Sequence, residues 1–111
     1  MPGRLTTHVL DLAAGQAAAG VAIRVSRLGD GQQPQFIRDM TTNEAGRTAE
    51  PAIAEGELTA GIYELLFDVG SYFHHGLFEL VPIRVTISDP NQHYHVPLLI
   101  TPWSYSTYRG S

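Results

Sequence analysis

The sequence predicts an all-β domain, an antiparallel sandwich or barrel, on three observations. The first is alternation. Val21, Ile23 and Val25 skip one position each, as do Tyr63, Leu65, Phe67 and Val69, then Val81, Ile83, Val85 and Ile87, then Tyr94, Val96, Leu98 and Ile100. A strand turns successive side chains to opposite faces, so each stretch reads as half-buried. The second is punctuation: Gly29-Asp30-Gly31, Asn43-Glu44-Ala45-Gly46, Glu55-Gly56, Asp89-Pro90-Asn91 and Thr101-Pro102 are turn-forming clusters between the runs. The third is length, since 111 residues fit one domain over 1–111.

Strands are expected near 5–11, 21–28, 34–41, 47–49, 62–69, 81–88, 93–100 and 104–109, about eight in all. The stretches 13–20 and 49–57 are rich in small residues and read as loops. One segment breaks the alternation: Ser71-Tyr72-Phe73-His74-His75 sits between Gly70 and Gly76. Ser71 can cap a short helix and Gly76 can stop it.

Composition removes much chemistry. All seven basic residues are arginine, and there is no cysteine. Schiff-base lysines, thiol nucleophiles, disulfides and thiolate metal sites are therefore excluded. A net charge of −4 argues against nucleic-acid and anionic-membrane partners. No apolar run reaches the roughly 18 residues of a membrane helix. The N-terminal stretch lacks the apolar core of a signal peptide. A cytoplasmic protein is expected, or a periplasmic one if a leader has been removed. A domain of this size also has little room for a private ligand pocket of roughly 300–1,000 Å³. A site shared between subunits is expected.

Five histidines remain as groups that titrate near neutrality. Alternation puts Thr6, His8 and Leu10 on one face of the first strand, and His93 and His95 on one face of another. Ser106 and Tyr108 share a face of the last. Side by side, these strands would present a polar floor on which two imidazoles divide the roles of base and donor. Singly, a histidine on a half-exposed strand is ordinarily a surface residue, and His8, His93 and His95 could instead share a zinc ion. Arg47 leaves the turn that begins at Thr41; an arginine there is ordinarily solvated, but its guanidinium fork suits a planar, oxygen-rich substrate or an enolate. Asp11 reads as a turn-forming carboxylate. His74 and His75 read as structural.

Three motifs resemble those of the 5-hydroxyisourate hydrolase family, the transthyretin-like enzymes of urate breakdown. Leu5-Thr6-Thr7-His8-Val9-Leu10-Asp11 is similar to the family's opening strand. Thr42-Asn43-Glu44-Ala45-Gly46-Arg47 resembles its turn and arginine. His93-Tyr94-His95-Val96-Pro97-Leu98-Leu99, continued by Tyr105-Ser106-Thr107-Tyr108-Arg109-Gly110-Ser111, resembles its C-terminal signature, whose last four residues separate the enzymes from transthyretin itself. Ala45 stands where the family has aspartate, the segment from Leu77 to Val81 lacks a Phe-Phe-Pro pattern, and Trp103 replaces a smaller or phenolic residue.

The resemblance implies a transthyretin-like antiparallel β-sandwich with one short helix. It implies edge-paired dimers that stack face to face into a homotetramer, with His8, His95, Ser106 and Tyr108 turned into a central channel. The implied activity is hydrolytic opening of the lactam ring of 5-hydroxyisourate with neither cofactor nor metal. His8, Arg47, His95 and Ser111 would be catalytic; Arg47, Tyr108, Arg109, Gly110 and Ser111 would bind substrate. A small-ligand carrier of the transthyretin type and a metal-binding β-sandwich are the alternatives.

Overall fold

The chain is described from a computed structural model covering residues 2–29, 31 and 33–111. The turn expected at Gly29-Asp30-Gly31 therefore includes a position, Asp30, outside the described residues. The elements run β1 (Leu5–Asp11), β2 (Gln16–Ala17), β3 (Ala22–Leu28), β4 (Pro34–Thr41), β5 (Gly61–Asp68), α1 (Val69–Phe73), β6 (Leu80–Ile87), β7 (Tyr94–Thr101) and β8 (Ser104–Thr107). Among the described residues they form two four-stranded sheets, β2-β1-β7-β8 and β4-β3-β5-β6. No helix among them is long and apolar enough to cross a membrane.

The core lies between the sheets and follows the alternation. Leu5 and Val9 from β1, Ile23 and Val25 from β3, Tyr63, Leu65 and Phe67 from β5, and Leu98 and Ile100 from β7 are all buried. Burial of each large apolar side chain contributes about 1.5–3 kcal/mol over leaving it in water. Asp11 closes a turn as expected: its carboxylate accepts from Ala14 N at 3.0 Å and from the Tyr72 hydroxyl at 2.8 Å. The second bond ties α1 to the end of β1. Burial and this bond push the Tyr72 phenol up to about 12.

Six expectations are corrected. No strand forms at 47–49; Asn43 Oδ1 instead accepts from the backbone N–H of Ala45 and Arg47, winding a loop that leads into these residues. Conversely, the loop at 13–20 contains the two-residue β2, paired with Leu10 and Asp11. The helix begins three residues early, because the Asp68 side chain, not Ser71, caps it by accepting from Ser71 N. It ends at His74, which takes the left-handed conformation at φ 63° and donates its N–H to Gly70 O; Gly76 is not the stop. The last strand stops at Thr107 instead of 109, and one ladder is not antiparallel: β1 runs parallel to β7. Period-two alternation tells which face a residue occupies but not which way its neighbour runs.

Candidate active site

The outer face of the β1–β7 pair carries the polar residues. The parallel register sets Thr6 against His95 and His8 against Pro97. His8 and His95 are both half-buried, so each imidazole is gripped on one side and open on the other.

His8 is held by the Asn43–Arg47 loop. Its Nε2 lies 2.8 Å from the Ala45 carbonyl oxygen. A carbonyl can only accept, so Nε2–H donates and neutral His8 carries its lone pair on Nδ1. The loop docks by a second bond, from Val9 N to Gly46 O at 2.8 Å. Gly46 sits at φ 74°, and a Cβ there would fall 2.3 Å from Val9 O. Only glycine allows the loop this close to β1. Ala45 acts on both Asn43 and His8 through its backbone, so alanine in place of the family's aspartate leaves these contacts intact.

His95 is held by β1 and by the C-terminal tail. Its Nδ1 is 2.8 Å from Thr6 Oγ1. Its carbonyl accepts from Gly110 N at 2.7 Å, which clamps the tail beside it. A Cβ at Gly110 would fall 2.7 Å from His95 Cδ2, so the tail can lie flat against the ring only without a side chain there. Burial lowers the His95 pKa below the ordinary imidazole value, and the positive fields of Arg47, His93 and His8 push the same way. His95 is accordingly a neutral imidazole at neutral pH. Arg47 itself is exposed and borders a shallow cavity of about 190 Å³ together with Arg4, Thr6 and Glu50. That is below the roughly 300 Å³ at which small-molecule pockets begin.

Arg109 turns away from this floor. Its guanidinium lies 4.4 Å from the centre of the Tyr94 ring and donates to Gln92 Oε1 and the His93 carbonyl. Ser106 pairs with Leu99 on the outer face, as expected. Tyr108 follows the end of β8 and borders, with Ile83, Val85 and Tyr94, a separate cavity of about 330 Å³ between β6 and the tail. His74 and His75 lie at the far end of α1, where His75 Nδ1 donates to Phe73 O at 2.9 Å and its ring meets Trp103 edge-on. Among the described residues no three His, Asp or Glu side chains converge as a metal-binding group.

Residues 5–110 match the model of the HIUase/Transthyretin family. The chain belongs to that family. It is 48% identical to a 5-hydroxyisourate hydrolase of Deinococcus radiodurans over 99% of this chain and 97% of that one. Among solved structures it resembles the 5-hydroxyisourate hydrolase of Klebsiella pneumoniae, with a TM-score of 0.83, 35% identity, and 98% and 94% of the two chains covered. It also resembles a sea bream transthyretin in complex with thyroxine, with a TM-score of 0.89 but 26% identity over 96% and 94% of the chains. The family fold is thus a transthyretin-like sandwich, and this chain is more similar in sequence to these hydrolases than to that transthyretin.

Sequence alone assigns no role to Thr6 or Arg4 beside the imidazoles, and offers His93 only as a zinc ligand. Thr6 shares the outer face with His8, which alternation does reveal. Its contact with His95 spans 89 positions and depends on the parallel register. His93 stacks beside His95, ring centres 6.4 Å apart and 10° from parallel, and Arg4 reaches His93 Nδ1 at 3.4 Å.

Proposed function

We propose that this protein is a 5-hydroxyisourate hydrolase that opens the lactam ring of its substrate by metal-free attack of water. The product would be 2-oxo-4-hydroxy-4-carboxy-5-ureidoimidazoline. The observation that carries the reading is the clamp between Gly110 N and the His95 carbonyl, at 2.7 Å. It brings the tail that resembles the enzymes' signature onto a neutral imidazole, in a chain similar over its full length to 5-hydroxyisourate hydrolases.

In this mechanism His8 and His95 position and activate one water. The water oxygen bonds to a ring carbonyl carbon while its proton passes to an imidazole. Negative charge gathers on the carbonyl oxygen, near Arg47, which grips the planar substrate and favours that charge. Collapse of the adduct breaks the C–N bond, and the leaving nitrogen takes up a proton. Tyr108 and Ser111 shape and close the pocket, with Arg109 and Gly110 fixing the tail. General acid–base assistance is typically worth about 10²–10⁴-fold, the remainder coming from positioning and charge stabilisation.

The active form in this reading is a homotetramer, a dimer of dimers. Two features support it. The cavity at Arg47 is smaller than an ordinary small-molecule pocket and open to solvent, and β6 and β8 each end a sheet with an unpaired edge. A second chain facing the β1–β7 surface would complete the pocket and bring Tyr108 of another subunit within reach of the floor.

The deciding experiment follows the ultraviolet absorbance of freshly generated 5-hydroxyisourate with and without the protein. Accelerated decay that survives exhaustive chelation is expected. Decay at the uncatalysed rate would overturn the hydrolase and leave the carrier; activity lost on chelation and restored by zinc would overturn the metal-free mechanism.

A further inference from the structure

We propose that Thr6, backed by His93 and Arg4, is a positioning relay that fixes the tautomer of His95, so that His95 meets the substrate as a hydrogen-bond donor through Nε2–H. The proposal rests on the hydrolase reading and assigns within it the two roles that a pair of imidazoles leaves open.

The relay is built from donors whose direction is determined at one end. The Arg4 guanidinium has no acceptor, so its Nε–H donates to His93 Nδ1, at 3.4 Å. In neutral His93 the ring proton is then on Nε2, which faces Thr6 Oγ1 at 3.3 Å and donates to it. Thr6 has one hydroxyl proton, and the nearest acceptor for it is His95 Nδ1 at 2.8 Å. The opposite arrangement would make Thr6 accept from both rings and leave its own proton without a protein partner. The two outer links are long and weak, while the Thr6–His95 link has the length of a good hydrogen bond. The hydroxyl is thus the strong element, and His93 and Arg4 bias its orientation.

With Nδ1 accepting, the proton of neutral His95 lies on Nε2. That atom is bonded to Cδ2, the carbon against which Gly110 packs, so it lies on the edge of the ring beside the tail. His8 has the complementary state, because its Nε2–H is committed to the Ala45 carbonyl and its lone pair lies on Nδ1. The two imidazoles have the same chemistry and opposite tautomeric roles: His8 Nδ1 takes the proton from water, and His95 Nε2–H supports the developing oxyanion or the leaving nitrogen. Backbone and hydroxyl partners, not the rings themselves, divide the work.

Long-range ¹⁵N–¹H NMR of the intact protein reads the tautomer directly, without substrate. The expected spectrum has a bare Nδ1 and a protonated Nε2 for His95. Thr6→Val, which keeps the shape and loses the hydroxyl, should give a mixture of tautomers and a kcat about tenfold lower, with KM within about twofold, as for loss of one ordinary hydrogen bond. Thr6→Ser should recover both the tautomer and most of the rate. His93→Gln should move both in the same direction by less, and it tests the relay even if Thr6→Val folds poorly. A protonated Nδ1 on His95 in the unmodified protein would overturn the proposal. So would a Thr6→Val protein that keeps the wild-type tautomer or the wild-type kcat. Failure of the hydrolase reading is distinguishable: the unmodified protein would then leave 5-hydroxyisourate untouched, whatever the spectra say about His95.

Discussion

Two pairs of histidines in this chain make opposite use of the same side chain. His74 and His75 are neighbours in sequence at the end of α1. His74 serves through its backbone, in the left-handed turn that stops the helix, and His75 gives Nδ1–H to a carbonyl and its ring to Trp103. His8 and His95 are far apart in sequence and lie on adjacent parallel strands. Each is tethered by one ring nitrogen, His8 by Ala45 and His95 by Thr6. The lesson is that an imidazole becomes useful when one nitrogen is anchored and the open side of the ring meets a site; proximity of two histidines in sequence counts for nothing.

The comparison can be broken in several ways. Deletion of residues 108–111 should abolish hydrolysis of 5-hydroxyisourate, because it removes the clamp on His95; a fully active truncation would separate the tail from the strand pair. His8→Ala and His95→Ala should each lower kcat/KM more than tenfold, up to the range of about 10²–10⁴ expected for lost acid–base help, with the proposed tetramer intact by light scattering. His74→Ala and His75→Ala should stay within about twofold in the same assay; a loss equal to that at His8 would erase the distinction.

Tyr72→Phe sharpens the contrast from the other side. It should cost about 1–3 kcal/mol in denaturant unfolding, since it strips the buried Asp11 carboxylate of a donor, while the rate barely changes. The same bond sets a pH limit. The folded chain keeps the Tyr72 proton up to about 12. An unfolded chain releases its tyrosine protons near 10, so this part of the stability is present below 10 and is lost as pH rises through that interval. The smallest effect is expected in a titration. Arg47 depresses the His95 pKa, so Arg47→Gln should shift the NMR midpoint of His95 to higher pH. An unchanged midpoint would remove Arg47 from the field at His95.

How much was legible beforehand depended on range. Which side of each strand was buried was readable at Val9, Phe67 and Leu98, because the pleat has a period of two whatever its neighbours do. The turn at Gly46 and the special demands of Gly110 were visible as motifs, though not the reason, which is a carbonyl and an imidazole closing on the missing Cβ. The helix was placed three residues late because a cap is decided by the side chain that reaches the free N–H groups, and Asp68 outcompetes Ser71 there.

By itself, the sequence determined the all-β class, the faces of the strands, the absence of thiol and lysine chemistry, and the family resemblance that pointed to His8, Arg47, His95 and the tail. These follow from local periodicity and composition, which need no partner. Tertiary structure alone decided that β1 runs parallel to β7, that Thr6 therefore touches His95, and that the tail folds back onto it. The physical reason is that hydrogen-bond direction and register belong to pairs of segments, and a tautomer belongs to the partners that a ring acquires only when those segments meet.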